Sequence, residues 1–202
     1  MTSIYLVRHG QTQWNLEGRL QGSMDSPLTE LGISQAKAGS EKLKTHHFDA
    51  AYCSPRPRAK KTAELLLSGR GIMLREDEQL SEVNLGQLEG QNKHNLSPPL
   101  QQAYEAFWQQ PHHYQTLDGE CLLAAQQRMV QGIEVLARKH QGQQILLVSH
   151  AAVIKLAFCH YLSQPLSDLW QPPMIDNGEL NQLHWCPDQG MSVRLYNGLS
   201  TW

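Results

Sequence analysis

Two apolar runs in this chain each stop at a histidine. The first reads Ser3-Ile4-Tyr5-Leu6-Val7 and then Arg8-His9-Gly10. The second reads Ile145-Leu146-Leu147-Val148 and then Ser149-His150. An imidazole in such a place can act as a nucleophile, carry a proton or bind a metal. A lone histidine there is ordinarily a capping group that satisfies a nearby carbonyl. Two in matching positions, one of them beside an arginine, make a shared site the stronger reading. A cation at Arg8 is a poor neighbour for a divalent metal. The chain also lacks the His-x-His and His-Glu-x-x-His spacings of metal sites. The pair instead suits an anion with several oxygens, such as a phosphoryl group.

The elements that would carry these residues follow from the pattern of the chain. Both runs are short, β-rich and continuously apolar, as strands buried on two faces are. A polar segment leads to Pro27. Thr29 is an N-cap with Glu30 at the positive end of the helix dipole, and that helix runs to about Lys44. A short strand at Ala50-Ala51-Tyr52-Cys53 precedes a helix from about Arg58 through Leu67. Residues 76–99 read as loops and short turns, followed by a helix over 99–109 and a break at Pro111-His112-His113. A helix from Leu122 to about His140 places Met129, Val130, Ile133, Leu136 and Ala137 on one face. The segment 151–163 is apolar nearly all round and reads as a buried helix. Strands at about 179–185 and 191–196 flank a Pro-Asp-Gln-Gly turn. Strands alternating with helices predict βαβ units in a mainly parallel sheet, and the final hairpin predicts an antiparallel edge. In such sheets ligands bind beyond the carboxyl ends of the strands, where His9 and His150 stand.

Composition narrows the class of partner. The chain has 202 residues, 40% of them hydrophobic, which suits one domain with a sizeable core rather than a disordered chain. Seventeen basic side chains against 19 acidic ones give a net charge of −2. The basic excess of a nucleic-acid binder is missing. Four dispersed cysteines, Cys53, Cys121, Cys159 and Cys186, form no Cys-x-x-Cys pair, so neither a zinc site nor a disulfide framework is expected. No run approaches the roughly 20 apolar residues that span a bilayer. The expectation is a soluble, cytoplasmic protein with no membrane partner and reduced thiols.

The ordered motifs resemble those of the histidine phosphatase superfamily, which holds phosphoglycerate mutases and many small-molecule phosphatases. The resemblance begins at Leu6-Val7-Arg8-His9-Gly10-Gln11-Thr12, with Asn15, Arg19, Gln21-Gly22, Asp25 and Pro27-Leu28-Thr29 behind it. It continues through Ser54-Pro55-Arg56-Pro57-Arg58-Ala59-Lys60-Lys61-Thr62-Ala63, Leu80-Ser81-Glu82-Val83-Asn84-Leu85-Gly86-Gln87-Leu88-Glu89-Gly90, Asp118-Gly119-Glu120-Cys121 and Val148-Ser149-His150-Ala151. It implies a three-layer α/β/α fold of phosphoglycerate mutase type, as one domain over 1–202. Residues 91–117 would be a specificity insertion over the site; its Phe107, Trp108, His112, His113 and Tyr114 would either pack against an apolar part of the substrate at the rim or, as the favoured reading, form a small local core.

The same resemblance implies the site. His9 would be the nucleophile that takes the phosphoryl group, its pKa lowered by Arg8 and Arg58. Arg8, Arg58 and His150 would cradle the phosphoryl oxygens. Glu82 would be the acid and base, selected by its motif alone from among Glu76, Asp77, Glu78 and Glu89. Asn15, Gln21, Gly22 and the amide of Ala151 would bind substrate. Alanines follow His150 where many members have two glycines, and an alanine keeps its N–H. Glu120 would orient an arginine or the nucleophile, and Arg19 and Arg56 would each be either a further substrate contact or a surface charge. No metal or cofactor is implied.

The function so implied is a metal-independent phosphomonoesterase acting on a small phosphorylated metabolite through a phosphohistidine. Phosphoglycerate mutase-type transfer is the alternative, weakened because the basic insert of the longer mutases is not found here. A phosphoprotein phosphatase and a non-catalytic phospho-ligand binder are further alternatives. The substrate stays open among alpha-ribazole phosphate, sugar phosphates and nucleotides, and so does the oligomeric state, a homodimer included.

Overall fold

The computed structural model describes residues 1–94 and 96–200. Asn95, within the expected 91–117 insertion, and residues 201–202, at the end of the expected domain, lie outside the described residues. Among the described residues the sheet has seven strands: β1 (Thr2–Arg8), β2 (Ala50–Cys53), β3 (Leu74–Glu76), β4 (Gln144–Ser149), β5 (Leu180–Cys186), β6 (Gly190–Tyr196) and β7 (Leu199–Ser200). They stand in the order β3-β2-β4-β1-β5-β6-β7. β3, β2, β4 and β1 are parallel, and β5 turns the sheet antiparallel from β1 onward. The mixed sheet with an antiparallel edge is thus the one expected.

The helices are α1 (Gln13–Leu16), α2 (Glu30–Lys42), α3 (Pro57–Leu66), α4 (Pro98–Gln109), α5 (Leu122–Lys139) and α6 (Ala151–Tyr161). Side chains alternate across the sheet. Ile4, Leu6, Tyr52, Ile145 and Leu147 pack on one face with residues of α5 and α6. Tyr5, Val7, Ala51, Cys53, Leu146 and Val148 pack on the other with α3. The central strands are buried on both faces, which is why they read as unbroken apolar runs.

Local signals set the helix ends. Thr29 Oγ1 accepts the Gly32 N–H at 3.0 Å and starts α2. Pro57 begins α3 at the position where its missing N–H costs nothing. Cys121 caps α5 through Sγ. Two elements depart from expectation. The polar stretch after β1 contains α1, a single turn closed by Thr12 and Asn15, each bonding the other's backbone N–H. The stretch before residue 78 contains the edge strand β3, too short for an alternating pattern to show.

Candidate active site

β1 and β4 are neighbours in register, with Val7 opposite Val148 and Arg8 opposite Ser149. The His9 N–H donates to the Ser149 carbonyl at 3.0 Å, so the ladder extends to the nucleophile position itself. His9 and His150 leave the sheet side by side, with ring centres 5.2 Å apart at a steep angle. Both are buried. His9 Nδ1 lies 2.7 Å from its acceptor, the Gly10 carbonyl, which fixes the proton on Nδ1. Nε2 is left with its lone pair free.

Arg58 comes from the first turn of α3 and is 2% exposed. Its Nη1 donates to Asp25 Oδ1 at 2.8 Å and to the Met24 carbonyl at 2.6 Å. Its Nη2 donates to the Gly22 carbonyl at 2.8 Å. The 22–24 loop is itself held by Glu89, whose carboxylate accepts from the N–H groups of Ser23, Met24 and Leu85. Gly22 has φ +52° and faces that carboxylate so closely that a Cβ would collide with it. One turn on from Arg58, Thr62 accepts the Gly10 N–H and donates to the Arg58 carbonyl, tying α3 to the loop after β1. Arg8 Nη1 donates to the Ile175 carbonyl at 2.6 Å.

Several strong donors remain over. Among the described residues, Arg8 Nε, Arg58 Nε and both ring nitrogens of His150 are without a hydrogen-bond partner, although all are buried. Buried donors without partners are costly, so such a cluster is a receptor for an anion rich in oxygen. Burial and the two guanidinium groups, Arg58 before Arg8, hold the His9 pKa well below the usual imidazole value. His150 is lowered in the same direction by burial and then by Arg58. Burial also lowers Arg8 to about 10, against the pull of Glu82 and Asp176.

Glu82 approaches from the loop after β3. Its carboxylate accepts the N–H groups of Ala152 and Val153 at 3.2 and 3.1 Å, in the first turn of α6. An anion at a helix N-terminus meets both free donors and the positive end of the dipole. The amides after His150 therefore hold this glutamate here.

A cavity of about 430 Å³ opens on these groups. It brings together Arg8, His9, Arg58, Glu82, Asn15, Gln21, Gly22 and Ala151; His150 is fully buried and does not line it, its ring 5.2 Å from that of His9. Asn15 Oδ1 is occupied by the Thr12 N–H and Asn177 Nδ2. Arg19 also lines the cavity, lying over the Trp14 ring at 4.1 Å, whereas Arg56 is outside it and binds the Ser23 carbonyl and Glu78.

The far wall is partly as expected. Tyr104, Phe107 and Trp108 of the 91–117 segment line it. His112 and His113 meet with tilted rings away from it, and Tyr114 packs edge-on against Phe107 outside it. Sequence reasoning missed Lys155, Trp170, Met174, Ile175 and Asp176, which complete the wall. Trp170 lies 4.5 Å from Trp108 and donates to the Phe107 carbonyl. Lys155, 2% exposed, donates to the carbonyls of Gln171 and Pro173 at 2.6 and 3.1 Å. Its signal was in the sequence: a lysine inside an apolar helix must find partners.

The model of the histidine phosphatase superfamily (branch 1) matches residues 4–198. The chain is 33% identical over 167 residues to the adenosylcobalamin/alpha-ribazole phosphatase of Salmonella typhimurium, covering 83% of each. It is 27% identical over 184 residues to phosphoserine phosphatase 1 of Hydrogenobacter thermophilus, covering 91% of this chain and 87% of that one. Among solved structures, Bacillus stearothermophilus YhfR superposes with a TM-score of 0.94 at 34% identity, covering 99% of this chain and 98% of that one.

Proposed function

This chain belongs to the histidine phosphatase superfamily, branch 1, as a phosphoric monoester hydrolase, and from that premise we propose that it cleaves the phosphomonoester of a small metabolite through a phosphohistidine on His9. The observation that carries the reading is His9 itself. Its imidazole is held neutral, its Nδ1 is bound to the Gly10 carbonyl, and it stands amid unpartnered donors of Arg8, Arg58 and His150.

In the first step Nε2 of His9 attacks phosphorus and a P–N bond forms as the P–O bond to the alcohol breaks. Charge that spreads over the equatorial oxygens is met by the Arg8 and Arg58 guanidinium groups and by His150. Glu82 gives a proton to the departing alcohol oxygen. In the second step the ionised Glu82 takes a proton from water, the water oxygen attacks phosphorus, and the P–N bond breaks to release inorganic phosphate and neutral His9. Asn15, Gln21 and Gly22 border the substrate, and the amide of Ala151 adds a donor at the start of α6. We take residues 1–202 as one domain and 91–117 as its specificity insertion. That part of the reading is supported by the three aromatic side chains this segment gives to the cavity wall.

No helix of the described residues is long and apolar enough to cross a membrane. A cytoplasmic setting is part of the proposal, supported by cysteines that are all free among the described residues. No nucleic-acid partner is proposed, in keeping with the charge of −2. A homodimer is testable by sedimentation.

A phosphometabolite panel tests the function, run on wild type beside His9→Ala with free phosphate as the readout. Wild type should release phosphate from at least one small phosphomonoester with no acceptor present, and the variant should lose that activity by a factor of at least about 10³. Equal rates would sink the mechanism. Transfer only in the presence of an acceptor would favour the mutase.

A further inference from the structure

A residue outside the cavity fixes where Glu82 stands. Arg128, on α5, is absent from the cavity wall. Its guanidinium is locked in a two-pronged pair with Glu120, Nε to Oε1 and Nη2 to Oε2, both at 2.8 Å. The remaining donors reach back to the loop that carries Glu82. Nη1 donates to the carbonyls of Gln79 and Ser81, each at 2.9 Å, and of Glu78 at 3.4 Å. Nη2 donates to the Glu82 carbonyl at 3.3 Å. The carbonyl this fork skips, that of Leu80, accepts from Ser149 Oγ at 2.7 Å, directly before His150. Glu120 closes the far side of the loop, because its N–H donates to the Asn84 carbonyl at 2.7 Å.

Every carbonyl from residue 78 to 82 is therefore bonded, four of them by one side chain. The planar fork of an arginine can do this, and a lysine cannot. The backbone of Glu82 is held from α5 and its carboxylate from α6, so the carboxylate has little freedom to drift from the reacting oxygen. Misplacement of a proton donor by about 1 Å can cost on the order of 10²-fold in rate.

We infer that Arg128, oriented by Glu120, is a positioning residue that sets Glu82 for proton transfer to the leaving group. This rests on Glu82 being the acid of the proposed mechanism, so the test separates the two. Phenyl phosphate and 4-nitrophenyl phosphate are near in shape, but phenolate needs a proton to leave and 4-nitrophenolate hardly does. The quantity measured is kcat/KM, which covers the steps through phosphoenzyme formation. Arg128→Ala should lower it by about 10²-fold for phenyl phosphate and by less than about tenfold for 4-nitrophenyl phosphate. Glu120→Gln should show the same imbalance more weakly, and Arg128→Lys should fall between wild type and Arg128→Ala. Glu82→Ala is the reference and should show the largest imbalance.

Equal losses on the two substrates, or none, in Arg128 and Glu120 variants would overturn the positioning role while Glu82→Ala still discriminates. A Glu82→Ala variant that does not discriminate would overturn the acid assignment and this inference with it. If Arg128→Ala fails to fold by circular dichroism, Arg128→Lys and Glu120→Gln decide the matter on the same ratio.

Discussion

The two histidines are held in the same state by the fold, buried and neutral. Chemistry asks His9 to be neutral and exposed to a dianion, and the fold meets that by burying it beside two guanidinium groups. The consequence for stability has a definite sign. The unfolded chain takes up a proton on each imidazole as the pH falls through about 6.5, while the native state keeps both neutral. The contribution of each is therefore full above that pH and is lost as the pH drops below it. The loss is about 1.4 kcal/mol per pH unit for each group. Urea midpoints between pH 7.5 and 5.5 should fall more gently in His9→Asn than in wild type, and parallel slopes would refute this. For the same reason, once the second ionisation of the substrate phosphate at about pH 6 is divided out, kcat/KM should show no further acid limb from His9. At this scale the sequence was most informative. His9, His150, Arg8, Arg58 and Glu82 each lie in a short motif of the family the chain resembles; the structure sets Arg8, His9, Arg58 and Glu82 around one cavity, with the His150 ring 5.2 Å from that of His9. Lys155 carried a signal as a lysine inside an apolar helix, but its partners and Trp170 went unseen because they meet the cavity through packing between distant segments, which no local spacing encodes.

Helices and loops here hold one another through single buried groups. α6 offers its first turn to Glu82 and, one turn on, uses Lys155 to fasten the 171–173 carbonyls. The loop so fastened carries Trp170 and Met174 into the cavity wall. Lys155→Met keeps the length of the side chain and removes the donor, leaving two carbonyls without it. Stability should drop by about 1–3 kcal/mol, measured by urea unfolding, and KM should rise more than kcat falls. An unchanged KM would deny the loop a part in substrate binding. The long periodic helices were legible because burial repeats along them. The loop after α6 was not, since its only regularity is the partner it finds in Lys155. The single turn of α1 and the edge strand β3 escaped for a related reason, being shorter than any pattern that could announce them.

For the whole molecule, charge and topology act on different lengths. A net charge of −2 leaves little long-range field, so attraction to a phosphate dianion is built from Arg8 and Arg58 inside the cavity. Buried charges are weakly screened. The kcat/KM for a dianionic substrate should stay nearly flat from low to moderate salt, and a steep decline would point to steering by the surface instead. The sheet order was readable only in outline, because neighbours β1 and β4 are separated by more than a hundred residues of chain. Their parallel register has a further effect. His9 and His150 hang from adjacent rungs at the centre of the sheet, with Leu6, Val7, Leu147 and Val148 fully buried behind them. No partial opening can part the two imidazoles without breaking that ladder. The amide hydrogens of these four residues should exchange with deuterium only through global unfolding, with an opening free energy equal to that from urea. Enzyme activity and the last protected amides should then vanish over the same denaturant range, making turnover itself a gauge of the intact fold.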